Sequence, residues 1–282
     1  MDTVLDLDDS PPPRSTGTGS PLPEDSLVFV GNATVLLRLG GFTVLTDPTF
    51  VHRHEKVSIG YGMHTTRLTD PAMDVADLPP LDLVLLSHLH GDHFDQVAER
   101  DLDHDLPVVT TEQAAAGLAS RGFTRTVGTG TWDRVLVRRG GRTLSITATP
   151  ARHGPGVTDL VLPDVNGSVL ETDGLDGPVH RVWVSGDTLV HDDLAEIPRR
   201  HPVLDLGLVH LGGTRVLGLL VTMDAEQGVE AVRTVDPRAV VPVHYDDYDV
   251  FTSGLDDFLA AAATAGLRDR VHPVPRGGAY RL

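Results

Sequence analysis

The chain has 282 residues, 40% of them hydrophobic, a formal net charge of −17 and no cysteine. That length and apolar content can fill one large core or two small ones, while the acidity argues against nucleic acid, which needs basic surface to displace its counterions. Without cysteine there is no disulfide framework, thiolate ligand or cysteine nucleophile. No run of about 18 apolar residues occurs, so no membrane span is expected. The acidic start lacks the basic and apolar stretches of a secretory signal, and the cytoplasm is the expected compartment.

Residues 10–26 are rich in Pro, Gly and Ser. Such composition buries too little apolar area to offset the entropy of ordering, so 1–26 reads as a disordered or loosely packed tail and 27–282 as a single domain. Strands are predicted at Leu27–Val30, Thr34–Leu39 and Phe42–Thr46, the last two joined by a Gly40-Gly41 turn. An irregular segment, 50–80, ends at Pro79-Pro80. The apolar run Leu81–Leu86 then reads as a strand buried on both faces, followed by helix-compatible residues 94–100.

Further along come a strand at Val108–Thr110, a helix over 112–120, and strands at Arg134–Val137 and Thr143–Ala148 around a second Gly-Gly turn. Val179–Ser185 reads as a strand and 192–199 as a short helix. The last third alternates strand 204–210, helix 224–234, strand 239–243, helix 255–265 and strand 270–274, with Thr222 or Asp224 as N-cap of the first of these helices. Each half supplies several strands and a helix. An α/β fold of two mixed sheets with helices outside, a four-layer αββα sandwich, accounts for that order.

Between Ser87 and Phe94 the chain reads Ser-His-Leu-His-Gly-Asp-His-Phe. Alternation puts His88 and His90 on one side, and a turn near Asp92 swings Asp92 and His93 to an adjacent position. Four N/O ligands at one strand-to-helix corner form a metal site with room for a second ion. Three more candidates follow predicted strands: His153 in Arg-His-Gly-Pro, Asp187 in Ser-Gly-Asp-Thr and His244 in Val-Pro-Val-His-Tyr. Each also has a bland alternative, as a loop histidine, an Asx-turn residue and a core histidine respectively. Asp47, at the end of a strand and before Pro48, is either a carboxylate that orients a ligating imidazole or a turn former. The other histidines, His210 among them, read as surface or structural, with His64 and His191 singled out as substrate or proton-transfer candidates.

The pattern His-x-His-x-Asp-His, a lone His, Gly-Asp-Thr and a late His resembles the metallo-β-lactamase superfamily. Gly31-Asn32-Ala33-Thr34-Val35 and Leu45-Thr46-Asp47-Pro48 look like its branch holding ascorbate-phosphate lactonase and N-acyl-phosphatidylethanolamine phospholipase D. The resemblance runs from about Leu27 to Arg276; Asn32 departs from it, standing where many relatives carry His or Gln. It implies the superfamily's αββα fold and two divalent metal ions, Zn first, with Mn or Fe as alternatives. His88, His90 and His153 would hold one ion, Asp92, His93 and His244 the other, with Asp187 between them. The activity implied is hydrolysis of an ester-type bond, lactone or phosphodiester, in a small-molecule substrate, by hydroxide generated at paired metals. Asp92 would orient that hydroxide or pass its proton on, and Tyr245 is a candidate donor to the developing oxyanion. The rival reading is an iron-dependent oxidoreductase on the same fold. A homo-oligomer is open.

Overall fold

The computed structural model describes residues 2–8, 19–20, 22–60, 62–156, 162–175 and 177–282. In chain order the strands are β1 (Asp2–Asp6), β2 (Ser26–Gly31), β3 (Thr34–Leu39), β4 (Phe42–Thr46), β5 (Lys56–Ser58), β6 (His64–Thr66), β7 (Leu83–Leu85), β8 (Val108–Thr111) and β9 (Thr126–Thr129). They continue with β10 (Arg134–Arg139), β11 (Arg142–Thr149), β12 (Gly167–Thr172), β13 (Arg181–Val184), β14 (Leu206–His210), β15 (Arg215–Val216), β16 (Leu219–Leu220), β17 (Ala239–Val243) and β18 (Ala279–Arg281). The α-helices are α1 (Gln96–Asp101), α2 (Glu112–Ser120), α3 (Glu196–Arg200), α4 (Ala225–Val235) and α5 (Leu255–Thr264).

Two seven-stranded mixed sheets carry the fold, ordered β18-β2-β3-β4-β7-β8-β9 and β1-β10-β11-β12-β13-β14-β17. Strand alternation explains the layering. In the first sheet Leu27, Phe29, Val35, Leu37, Val44, Leu83 and Leu85 join a core shared with Val135, Val137, Leu144, Ile146 and Val169 of the second. Their neighbours Val28, Val30, Leu36, Leu45 and Val84 face a separate core closed by Ala98 of α1 and by Ala114 and Leu118 of α2. On the far side, α4 and α5 cover the second sheet through Val229, Val232, Phe258 and Ala262. The result is the expected αββα sandwich. Gly40 and Gly41, at φ 53° and 85°, supply the doubly left-handed turn between β3 and β4.

Four expectations need correction. Residues 2–6 are not loose tail: β1 pairs in parallel with β10, from Asp2 opposite Arg134 to Asp6 opposite Arg138, so backbone hydrogen bonds hold a strand whose side chains are mostly exposed. Residues 9–18 of the expected tail lie outside the described residues. The strand predicted at 270–274 is a 3-10 turn, Arg268–Arg270, followed by one bridge between Val240 and Val271; Pro273 and Pro275 have no N–H to extend a ladder. The helix over 192–199 is a 3-10 turn, Asp192–Ala195, leading into α3. The irregular 50–80 segment contains the β5–β6 hairpin. Among the described residues no helix is long and apolar enough to cross a membrane.

Candidate metal centre

In one sheet β4, β7 and β8 run parallel, as do β13, β14 and β17 in the other, so their carboxyl ends share a rim, where layered α/β proteins gather their sites. Asp47 follows β4, His88–His93 follow β7, Asp187 follows β13, His210 ends β14 and His244 follows β17. His153 lies just past β11. All seven residues expected as metal ligands therefore converge, although they come from positions 88 to 244.

His88 Nε2 and His90 Nδ1 stand 3.0 Å apart, and the His153 ring centroid lies 5.0 Å and 5.3 Å from theirs. One nitrogen from each falls within 4.8 Å of the others. His153 Nδ1 lies 2.9 Å from the Val221 carbonyl. A carbonyl only accepts, so the proton sits on Nδ1 and the Nε2 lone pair is left for a cation.

Asp92, His93 and His244 form a second such group, and His88, His93 and Asp187 a third that joins the two. His244 Nδ1 is 3.1 Å from the Leu211 carbonyl and 3.6 Å from Asp187 Oδ1. The shorter contact takes the proton and again leaves Nε2 as the ligating atom. Asp187 Oδ2 reaches to 3.2 Å from His93 Nε2.

Four atoms in this knot, His93 Nε2, His244 Nε2, Asp92 Oδ1 and Asp187 Oδ1, are buried with no hydrogen-bond partner among the described residues. Buried polar atoms without partners are costly and rare, and convergent N/O donors are the set a divalent cation satisfies. Protonation divides the rim. Burial lowers His93, but Asp187 and Asp47 outweigh it and hold the ring well above the usual value. Asp187 and Asp92 likewise outweigh burial at His244 and raise it, so a cation bound there must displace their protons. Burial, then the neighbouring His93 and His90, pushes His88 well down, and burial holds His90 down at about 4. Both are thus neutral, the form that ligates. Burial opposes ionisation of Asp187, but His244 and His93 outweigh it and hold its carboxyl well below the usual range. The same contest lowers Asp92, through His244 and His93.

Local sequence shapes the corner. Asp95 caps α1 by accepting from Val97 and Ala98 N–H groups, and its other oxygen takes the Phe50 and Val51 N–H groups. The predicted helix therefore starts at Gln96 rather than at 94. Gly91 N–H donates to the Ser58 carbonyl at 2.8 Å, and a Cβ on Gly91 would stand 2.6 Å from that oxygen. Only glycine lets the β5–β6 hairpin seat on the motif this closely.

Asp47 takes the orienting arrangement rather than a bare turn. Its Oδ1 accepts the Ser87 N–H at 2.7 Å, and its Oδ2 lies 3.4 Å from His93 Nδ1 and 3.2 Å from His210 Nε2. Burial pulls its carboxyl up, yet His93 and His210 bring it down to about 2. Asn32 ties two loops of the centre together. It sits at φ 53°, donates Nδ2–H to the Asp92 carbonyl at 2.5 Å, and accepts the His244 N–H at 2.9 Å.

Other candidates fall elsewhere. Tyr245, the candidate oxyanion donor, follows His244 directly, and its ring packs in the inter-sheet core 6.2 Å from that of Phe29. His191 is nearly buried ahead of the 3-10 turn at Asp192, its Nδ1 3.5 Å from Asp193 Oδ2, and none of the rim groups includes it. His64 is exposed at the start of β6. His210, read from sequence as bland, is 1% exposed and sits against Asp47. The signal that marked His153, Asp187 and His244, a polar residue closing an apolar strand, applies to it equally.

Two facing mixed sheets, helices outside and a His/Asp knot at the strand ends define an αββα fold whose rim gathers residues that could hold metal. Residues 43–245 match the family model described as the beta-lactamase superfamily domain, and the chain belongs to that family. It is 27% identical over 236 residues to an uncharacterized protein of Mycobacterium tuberculosis, a match covering 78% of this chain and 58% of that relative; the chain thus spans under two thirds of its mycobacterial relatives. A protein of Methanosphaerula palustris named as a metal-dependent hydrolase is 28% identical over 263 residues, covering 91% of this chain and 99% of the relative. The fold is also that of an isothiocyanate hydrolase from Delia radicum gut bacteria, with TM-score 0.76, 19% identity, and 91% and 99% of the two chains covered.

Proposed function

We propose that this protein is a metal-dependent hydrolase that cleaves an ester-type bond in a small molecule, using two divalent ions, Zn first among them, held by His88, His90, Asp92, His93, His153, Asp187 and His244. The carrying observation is the set of four buried, unpartnered ligand atoms facing one another across two ligand groups that Asp187 joins. Divalent ions bound there supply hydroxide at neutral pH and Lewis acidity toward the electrophile's oxygen. The chain's own task is to orient. The Val221 and Leu211 carbonyls fix the tautomers of His153 and His244, and Asp92, with one buried oxygen unpartnered, is placed to receive a proton from the attacking water and return it to the leaving group.

A cavity of about 280 Å³ opens beside His153, lined also by Thr111, Glu112, Thr129, Thr131 and Asn166. No Lys or Arg lines it among the described residues, while Glu112 and Asp164 add negative charge. That lining supports a neutral carbonyl ester, such as a lactone, over a phosphodiester, whose anion calls for basic partners. The relative named as a metal-dependent hydrolase supports the coarser reading, hydrolysis with a metal. The test is metal quantification of protein produced with added Zn, Mn or Fe, followed by a panel of esters, lactones and bis(p-nitrophenyl) phosphate. Turnover of neutral esters by a form with two ions per chain is expected. Inactivity of every metal form across the panel would refute the proposal, and iron with oxygen consumption would favour the oxidoreductase.

A further inference from the structure

Asp47 and His93 hang from the first sheet, Ser185 and Asp187 from the second, and His210 stands between them. Its ring is buried at the end of β14, in the second sheet, and its Nε2 reaches across to Asp47 Oδ2 at 3.2 Å. On its own side its backbone N–H donates to Ser185 Oγ at 2.9 Å, and its Nδ1 lies 3.2 Å from the same oxygen. Ser185 is two residues before Asp187, and Asp47 contacts both His93 Nδ1 and the Ser87 N–H that opens the histidine motif. The His210 ring also stacks on that of His93, with centroids 6.0 Å and planes 13° apart.

We propose that His210 is a positioning residue of the metal centre, a polar strut between the sheets that holds Asp47 against His93 on one side and the Ser185–Asp187 turn on the other. The inference rests on reading His93 and Asp187 as ligands. The bonding is internally consistent: Nε2–H donates to the Asp47 carboxylate, which leaves Nδ1 as the acceptor for the Ser185 hydroxyl. That hydroxyl rotates between Nδ1 and the Gly186 carbonyl 2.9 Å away. Nε2–H on Oδ2 joins the Ser87 N–H on Oδ1 in holding the carboxylate beside His93 Nδ1, which also faces Ser87 Oγ at 3.3 Å, and the His93 ring keeps Nε2 aimed at Asp187. Partners of this kind, one step behind a ligand, set ligand orientation and metal affinity. Among the described residues the His210 ring meets those of His93 and His244, so its influence falls first on the position of Asp92, His93 and His244 and reaches the other only through Asp187 and Ser87.

The experiment titrates chelator-stripped protein with Co²⁺ and Zn²⁺ alone, resolving the two positions by chelator competition and by the Co²⁺ absorption spectrum. His210→Phe keeps the ring's packing and removes both nitrogens. It is expected to weaken the position of Asp92, His93 and His244 about 10- to 100-fold and the other by clearly less. His210→Gln retains a donor where Nε2 stood and should recover most of the loss. Ser185→Ala, which removes a single hydroxyl, should weaken the same position by less, and it carries the comparison if the Phe variant does not fold. Unchanged affinities in His210→Phe and Ser185→Ala, or equal losses at both positions without recovery by Gln, would overturn the strut. Wild-type protein that takes up neither ion would instead overturn the ligand reading beneath it.

Discussion

Behind the centre lies an ion pair whose removal has a calculable effect. Arg67 and Asp247 are both 0% exposed, with Nη2 3.1 Å from Oδ1; the N–H is not aligned on the oxygen, so the contact is one of charge more than of hydrogen bonding. Asp247 also accepts the Asn32 N–H at 2.7 Å and the Arg276 Nε–H at 3.1 Å. Asp247→Asn keeps the shape and an acceptor for Asn32 but strands a buried guanidinium. Breaking such a pair from one side costs about 3–5 kcal/mol, a large part of the roughly 5–15 kcal/mol that holds a domain folded. With a urea m-value of about 3 kcal/mol/M, the midpoint should fall by about 1–1.7 M. Arg67→Met/Asp247→Asn removes the stranded charge and should recover more than half of that loss, since Tyr248, Thr49 and the Gly31 backbone can close on an apolar side chain. The assay is urea unfolding of the two single variants and the double variant in a double-mutant cycle. A loss below about 1 kcal/mol in Asp247→Asn, or strict additivity in the cycle, would refute the reasoning.

The same pair predicts a pH dependence. Burial pulls the Asp247 carboxyl up, but Arg67 and Arg276 outweigh it and hold it below the ordinary value. Its contribution is therefore present above the unfolded-state value of about 3.9 and lost as pH falls through the lower folded value. The stability gap between wild type and Asp247→Asn should narrow in urea melts taken below about pH 4, and a gap that widened there would contradict the assignment. Gly91→Ala should lower metal content while the circular dichroism stays native, because its Cβ would meet the Ser58 carbonyl at 2.6 Å and push the motif outward; full metal loading would argue against that close seat. His90→Ala or Asp187→Ala should abolish both metal uptake and turnover, checked by elemental analysis and ester hydrolysis, and normal activity in either would remove it from the ligand set.

Legibility in the sequence followed physical lines. β3, β4 and β17 were readable end for end because apolar runs met Gly-Gly turns or proline, and α2 because Thr111 caps it before an Ala-rich stretch. β12 and β9, Gly-Ser-Val-Leu-Glu-Thr and Thr-Val-Gly-Thr, lack that contrast; their strand character comes from neighbours in the sheet. β18 exists because β2, some 250 positions away, offers it a partner. The convergence of the seven rim residues was legible because metal chemistry restricts residue type and strand ends restrict place. Tyr245 carries no such restriction: a residue beside the rim can face either way, and the ring of this one packs on Phe29. His210 closes an apolar strand as the ligand candidates do, but its partners and those of Asn32 appear only when the two sheets bring distant loops together.

One more consequence comes from where the His and Asp groups sit along the chain. His88 and His90 leave the ribosome early, His153 midway, and Asp187 and His244 only with the second sheet. With the proposed ligand set, ion capture at this rim would be a certificate of completion, since a polypeptide ending before position 244 lacks the late histidine of the rim. Retention of metal through purification would then report that the carboxyl-terminal half has docked.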